Sequence, residues 1–236
     1  MAPALHIEVF DKLNGLEFPT QAQPDAVLPN RDLACWGVNI YCYSVLAHLR
    51  EILGSVEALR STHPFLINLL TRNMHEWTAH AAYMNEHLAK MNSANDFASA
   101  WTLLSRSILG NRWLNGKAGA PQPIPVHEAM EAFQKRDVDR FGCGDAKDLY
   151  GMLCELSHPN GGTLIHYWEE HGQAILVKRP PPEPELAILN SDLVSLLVFV
   201  YELLEATQES TIRPVVKRCM DLAMEQKKAA LRNARR

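Results

Sequence analysis

The sequence predicts a mainly α-helical fold, a bundle of six or seven helices with one small inserted β-hairpin, and three observations carry that expectation. Apolar residues recur at spacings of three and four over most of the chain. Residues able to cap a helix stand ahead of those periodic stretches. Only one segment, about 163–178, turns to a β-prone pattern. The chain has 236 residues, 47% hydrophobic and 21% charged, enough to bury a sizeable core.

Residues 1–29 hold four prolines (Pro3, Pro19, Pro24, Pro29) and only a short helical pattern near Ile7 to Leu13, so they read as an irregular N-terminal arm. Residues 30–236 read as a single helical-bundle domain. Asn30 or Asp32 caps a long helix to about Arg60, with Trp36, Ile40, Tyr43, Leu49 and Val56 among its apolar positions. Thr62 caps the next helix, Pro64 is tolerated in its first turn, and the helix runs to about Met91. Along it Leu66, Leu70, Asn73, Trp77, His80, Met84, His87 and Met91 alternate at four and three, heptad spacing that predicts a packed seam. Ser93 or Asn95 opens a helix to about Trp113. A Gly/Pro loop at 116–125 precedes a shorter helix from Val126 to Arg136 and a break at 141–144. Asp145 caps a helix that Pro159, Gly161 and Gly162 stop.

Thr163–Trp168 and Gln173–Lys178 then predict the hairpin, with Gly172 in its turn; a helix continuing through Glu170 is the alternative. Residues 180–184 are a stiff Pro-rich linker. The last two helices, about Leu186–Glu209 and Thr211–Arg232, are separated by a tight turn that predicts antiparallel neighbours.

The net charge of -4 argues against a protein built mainly to grip nucleic acid. From Thr211 onward, however, eight Lys/Arg stand against two acids, a local charge of +6. A basic C-terminal helix on an acidic body suits an acidic or nucleic-acid partner, and its plainer reading is a solvated helix end. The five cysteines, at 35, 42, 143, 154 and 219, form no Cys-x-x-Cys and are odd in number, which argues against structural zinc and a disulfide framework. Residues 1–10 lack a positive region before an apolar core, and the longest apolar run, Leu193–Val200, is too short for a bilayer. The expectation is a cytoplasmic protein with no membrane contact.

Polar residues interrupt the apolar seams and mark candidate chemistry. Glu155-x-x-His158 has metal-ligand spacing, but no second copy exists and Pro159 takes His158 out of helical geometry. His75 and His80 lie five apart, about 140° round a helix, so they diverge. Glu76, His80 and His87 are the weak metal candidates, and no cofactor is expected. Ser157 adjoins His158 without a nucleophile-elbow motif, and Cys154 sits mid-helix as an inert thiol.

Arg50 on an early helix, followed by Tyr150-x-x-Leu153-x-x-x-x-His158-Pro159 at a later helix end, resembles a group of bacterial helical proteins. These are distantly similar to HEPN-type bundles, the higher-eukaryote and prokaryote nucleotide-binding superfamily. The resemblance implies a helical dimer. From the RNase members it implies phosphoester hydrolysis, with His158 as acid/base group and Arg50 stabilising phosphate charge. In those members arginine and histidine lie four to six residues apart. Here Arg72 precedes His75 by too few residues and His80 by too many.

The leading functional expectation is binding of a small ligand or protein partner where the His158-Pro159-Asn160 stop meets the 30–60 and 62–91 helices. Arg50, His80, Tyr83, Tyr150, Glu155, His158 and Asn160 would surround a mostly apolar cleft. The alternatives are a HEPN-type RNase or phosphoester hydrolase, and a metal-dependent enzyme using Glu76, His80 and His87. A homodimer through the last two helices completes the expectation.

Overall fold

The computed structural model describes residues 5–20, 22–25, 28–61, 63–109, 121–140, 145–157, 168–171, 174–177 and 183–234. Its axis is α3 (Pro64–Ser93), which packs against α2 (Arg31–Leu59), α4 (Phe97–Leu109), α5 (Val126–Arg140), α6 (Ala146–Ser157) and α7 (Glu183–Ala206). On the far side α1 (Leu5–Asn14) and α8 (Arg213–Ala234) close against α2 and α7.

The helices begin where side chains satisfy their open amides. The Asn30 side-chain Oδ1 accepts from the Leu33 amide at 2.9 Å. Asp96 accepts from Ser99 at 3.1 Å, taking the capping place expected of Ser93 or Asn95. Asp145 accepts from Lys147 at 2.8 Å, as expected. α3 starts from His63 with no side-chain cap bond and Pro64 in its first turn; Thr62 lies outside the described residues. The buried Glu209 carboxylate accepts from the amides of Thr211, Ile212 and Arg213 at 2.7–2.8 Å, so a negative charge stands at the positive end of α8.

The fold class is all-α, with eight helices among the described residues where six or seven were expected. The additional one is α1. The arm read as irregular contains a regular ten-residue helix that buries Leu5, Val9 and Leu13. Their spacing of four forms one stripe, which seats against α2 where Gly54 leaves room for the Phe10 ring. α5 runs four residues past its expected end at Arg136.

Within 163–178 the described residues form two four-residue strands, Trp168–His171 and Ala174–Val177. They pair antiparallel with Trp168 opposite Val177. A lone two-stranded ladder is marginal and adds no layer to the bundle.

Two further expectations are corrected. The heptad seam of α3 is only in part its buried face: Met84 is fully buried, Asn73 is exposed, and Leu66, Leu70, Trp77, His80, His87 and Met91 are partly covered. The fully buried face runs through Ile67, Thr71, Met74, His75, Thr78, Ala82 and Asn85. Five helices surround α3, and small or hydrogen-bonded side chains let them approach it. The apolar segment around Leu193–Val200 is also longer than its contiguous letters suggest. Leu186–Ala206, with a mean hydropathy of 1.7, is long and apolar enough to cross a membrane by length and composition. Because 56% of that segment is buried inside the bundle, it serves here as a core helix.

Candidate functional site

Two histidines of α3 face opposite ways. His75 points to α6 and α7 and is fully buried. Its Nδ1 is 2.9 Å from Asp192 Oδ2, and its Nε2 is 2.9 Å from the Ala146 carbonyl oxygen. A carbonyl only accepts, so Nε2 must carry a hydrogen. The pair then shares one further proton between Nδ1 and Asp192. Burial pushes the Asp192 carboxyl up against the opposing pull of His75. With either placement the pair is formally neutral, which makes its burial affordable. The Thr78 hydroxyl donates to the Asp192 backbone carbonyl at 3.3 Å, and the Phe133 ring meets the imidazole edge-on at 5.3 Å. Every polar atom of the His75 ring is occupied.

His80 points toward α2 and α4. Its Nδ1 is 2.9 Å from the Tyr41 hydroxyl. Burial pushes the Tyr41 phenol well above its usual range, so it keeps its proton. Among the described residues that hydroxyl has no second partner, and its hydrogen therefore points at Nδ1, leaving the ring hydrogen on Nε2. Burial also pushes the His80 imidazole down to about 4, so it is neutral at physiological pH. The result is a neutral ring with one N–H donor still available.

That ring lines a pocket of about 280 Å³ between α3, α4 and α5. α3 contributes Asn73, Glu76, Trp77 and His80; α4 contributes Ser107; Ile124, Val126 and Ala129 form the apolar wall. The Ser107 hydroxyl is buried and has no hydrogen-bond partner among the described residues. The Trp77 ring stands edge-on to His80 at 5.9 Å and packs on His48 at 5.2 Å, whose Nε2 lies 3.0 Å from Asn73 Oδ1. Glu76 brings the pocket its one charge, and that charge is matched. Its Oε1 accepts from Arg72 Nε and from the Tyr150 hydroxyl, each at 3.1 Å, while Arg72 lies over the Tyr150 ring at 5.6 Å.

Of the seven residues expected around one cleft, His80 lines the pocket and Tyr150 joins it through Glu76. The others stand apart. Arg50 donates to the Leu16 carbonyl at 3.2 Å and sits over the Phe18 ring at 5.7 Å, fastening the N-terminal segment to α2. Tyr83 donates to Glu128 at 3.4 Å and its ring meets His87 at 4.1 Å. Glu155 is exposed on α6, and His158 and Asn160 lie outside the described residues. Glu76, His80 and His87 do not converge: each is engaged by a different neighbour, and no group of three metal-ligating side chains occurs among the described residues. The sequence reading passed over Ser107 and Asp192. Ser107 stands next to Ile108 on an amphipathic helix and carries no motif; Asp192 is a single acid in an apolar run.

The chain matches no protein-family model, no curated protein and no solved structure.

Proposed function

We propose that this chain is a ligand-binding helical bundle and that the α3–α4–α5 pocket receives a small, uncharged polar molecule with a flat apolar face. The observation that carries the reading is the pairing of an available His80 ring nitrogen with a Ser107 hydroxyl that has no partner among the described residues, in one apolar-walled pocket. Few polar groups set in an apolar wall are the usual make-up of a small-molecule site. An uncharged ligand fits because Glu76 is already matched by Arg72, and a second charge would lose hydration without a partner.

Binding is favoured over catalysis by the same ring. A general base works best with a pKa near the working pH, and burial holds His80 near 4. The pocket volume, about 280 Å³, stands at the small end of ligand sites.

The test is a ligand-observed NMR screen of neutral amides and heteroaromatic fragments against the wild-type chain, Val126→Trp and Ser107→Ala. Val126→Trp fills the pocket and should abolish binding. Ser107→Ala removes one hydrogen bond and should weaken it roughly three- to ten-fold. Absence of hits with wild type, or hits that survive Val126→Trp, would overturn the reading.

A further inference from the structure

A second cavity, of about 270 Å³, opens at the other end of the antiparallel α3–α4 pair, where α2 and α7 also meet it. Its volume comes from small side chains. Ala34, Cys35, Ala89, Ala100 and Ala206 stand on four helices at positions where leucines would close the space. The cleft opens to solvent past Arg31, Ala89, Asn92 and Ala206, and it leaves an apolar wall that a bound molecule would cover. The walls are Val38, Leu88, Phe97 and Leu203, of which only Phe97 is more than slightly accessible.

Three polar groups of this cleft, Asn85, Thr207 and Glu202, are spent on the protein, and Asn92 is exposed at its rim. The Asn85 amide donates to the Phe199 carbonyl at 3.2 Å. The Thr207 hydroxyl donates to Asn39 Oδ1 at 2.7 Å. Glu202, the one acid on the lining, accepts from Arg136 at 2.7 Å, so its charge is matched. Arg31 remains. It is the one cation on the lining, it is exposed in the first turn of α2, and no acid of the described residues pairs with it. The Cys35 thiol beside it is pushed up by burial and stays protonated, so it does not serve as the counter-charge. An apolar cavity with an unmatched guanidinium at its mouth is complementary to a molecule with a hydrocarbon body and a planar anionic head. A carboxylate meets a guanidinium in that geometry through two parallel hydrogen bonds.

We propose that the α2–α3–α4–α7 cleft binds a small amphipathic monocarboxylate, its hydrocarbon chain between Val38, Leu88, Phe97 and Leu203 and its carboxylate on Arg31. The cavity equals about nine water volumes of roughly 30 Å³ each. That admits an alkyl chain of octanoate length. The site is separate from the α3–α4–α5 pocket and stands whether or not that pocket binds anything.

The experiment is isothermal titration of the full chain with octanoate and, in parallel, octanol. Wild type should bind octanoate saturably. Ala206→Phe, at an exposed position in the last turn of α7, should fill the cleft and abolish binding, with an unchanged circular dichroism spectrum showing that the bundle is intact. Ala100→Leu is the second filling variant and should act the same way. Arg31→Gln should weaken octanoate roughly five-fold and leave octanol unchanged, the size expected of one exposed charge-assisted contact. Val126→Trp, which fills the other pocket, should change nothing. The proposal is overturned by absence of saturable binding to wild type, by equal affinity of octanol and octanoate there, by binding that survives both filling variants, or by loss in Val126→Trp.

Discussion

His75, fully buried, and His80, partly covered, stand five residues apart on the same helix, and the structure uses them in opposite ways. His75 has an acceptor on each ring nitrogen, from α7 and from α6. His80 has one partner, Tyr41, and its second nitrogen belongs to the wall of a pocket. A saturated polar group inside a core ties elements together, while a half-satisfied one is open to a ligand. The two faces of α3 therefore divide the work: one is an internal joint, the other a candidate site.

The largest expected effect breaks the joint. His75→Ala or Asp192→Ala strands its buried partner and should cost about 3–5 kcal/mol in urea unfolding. Replacing both residues with leucine should cost markedly less than the sum of the two single changes, because no unpaired group is left behind. If the two single changes simply add, the pair is not a coupled joint and the contrast with His80 fails.

A second, smaller effect belongs to the other face. The folded His80 pKa is about 4 against an unfolded value of about 6.5. Between those values the unfolded chain binds a proton that the folded chain refuses, so stability rises with pH across the window and falls on acidification through it. The loss from pH 7 to pH 4 should be roughly 2–3 kcal/mol, discounted for the partial exposure of the ring. In His80→Gln this part of the pH dependence should vanish while the carboxylate contributions remain. An identical profile in wild type and variant would remove the claim that His80 stays neutral.

The smallest effect shows that distance alone is not what separates the two faces. Lys90 and Glu86 meet at 2.6 Å on the surface of the same helix, closer than His75 and Asp192 at 2.9 Å. Lys90→Ala should nevertheless cost less than about 0.5 kcal/mol, because water replaces the lost partner. A cost above 1 kcal/mol in thermal unfolding would show that burial is not the deciding variable.

Much of the fold was legible in the chain. Asn30 and Asp145 cap where their sequence positions suggest, and the tight turn at 207–212 does bring α7 and α8 together. Of α1 only a short pattern near Ile7 to Leu13 was legible, because three apolar residues at spacing four weigh little beside four prolines, which flank the helix rather than break it. Of the buried face of α3 the expected seam held only Met84, because apolar spacing passes over the alanine, threonine, histidine and asparagine that share that face with Ile67 and Met74. Those are the residues that close packing selects when a helix is surrounded on nearly all sides. Of the candidate site, Asn73, Trp77 and His80 shared one stripe and could be seen together. Ser107 and Val126 join them only because α4 returns alongside α3 and α5 lies across the gap.

The positions of the long helices, the caps at Asn30 and Asp145 and the divergence of His75 from His80 follow from the sequence, since each depends on neighbours within about one or two turns. Whether a histidine becomes a joint or a site does not. His75 is completed by Ala146 and Asp192, 71 and 117 residues away, and the pocket beside His80 is assembled from three helices. Hydrogen-bond satisfaction and enclosed volume are properties of groups brought together by packing, so they came into being only with the tertiary structure.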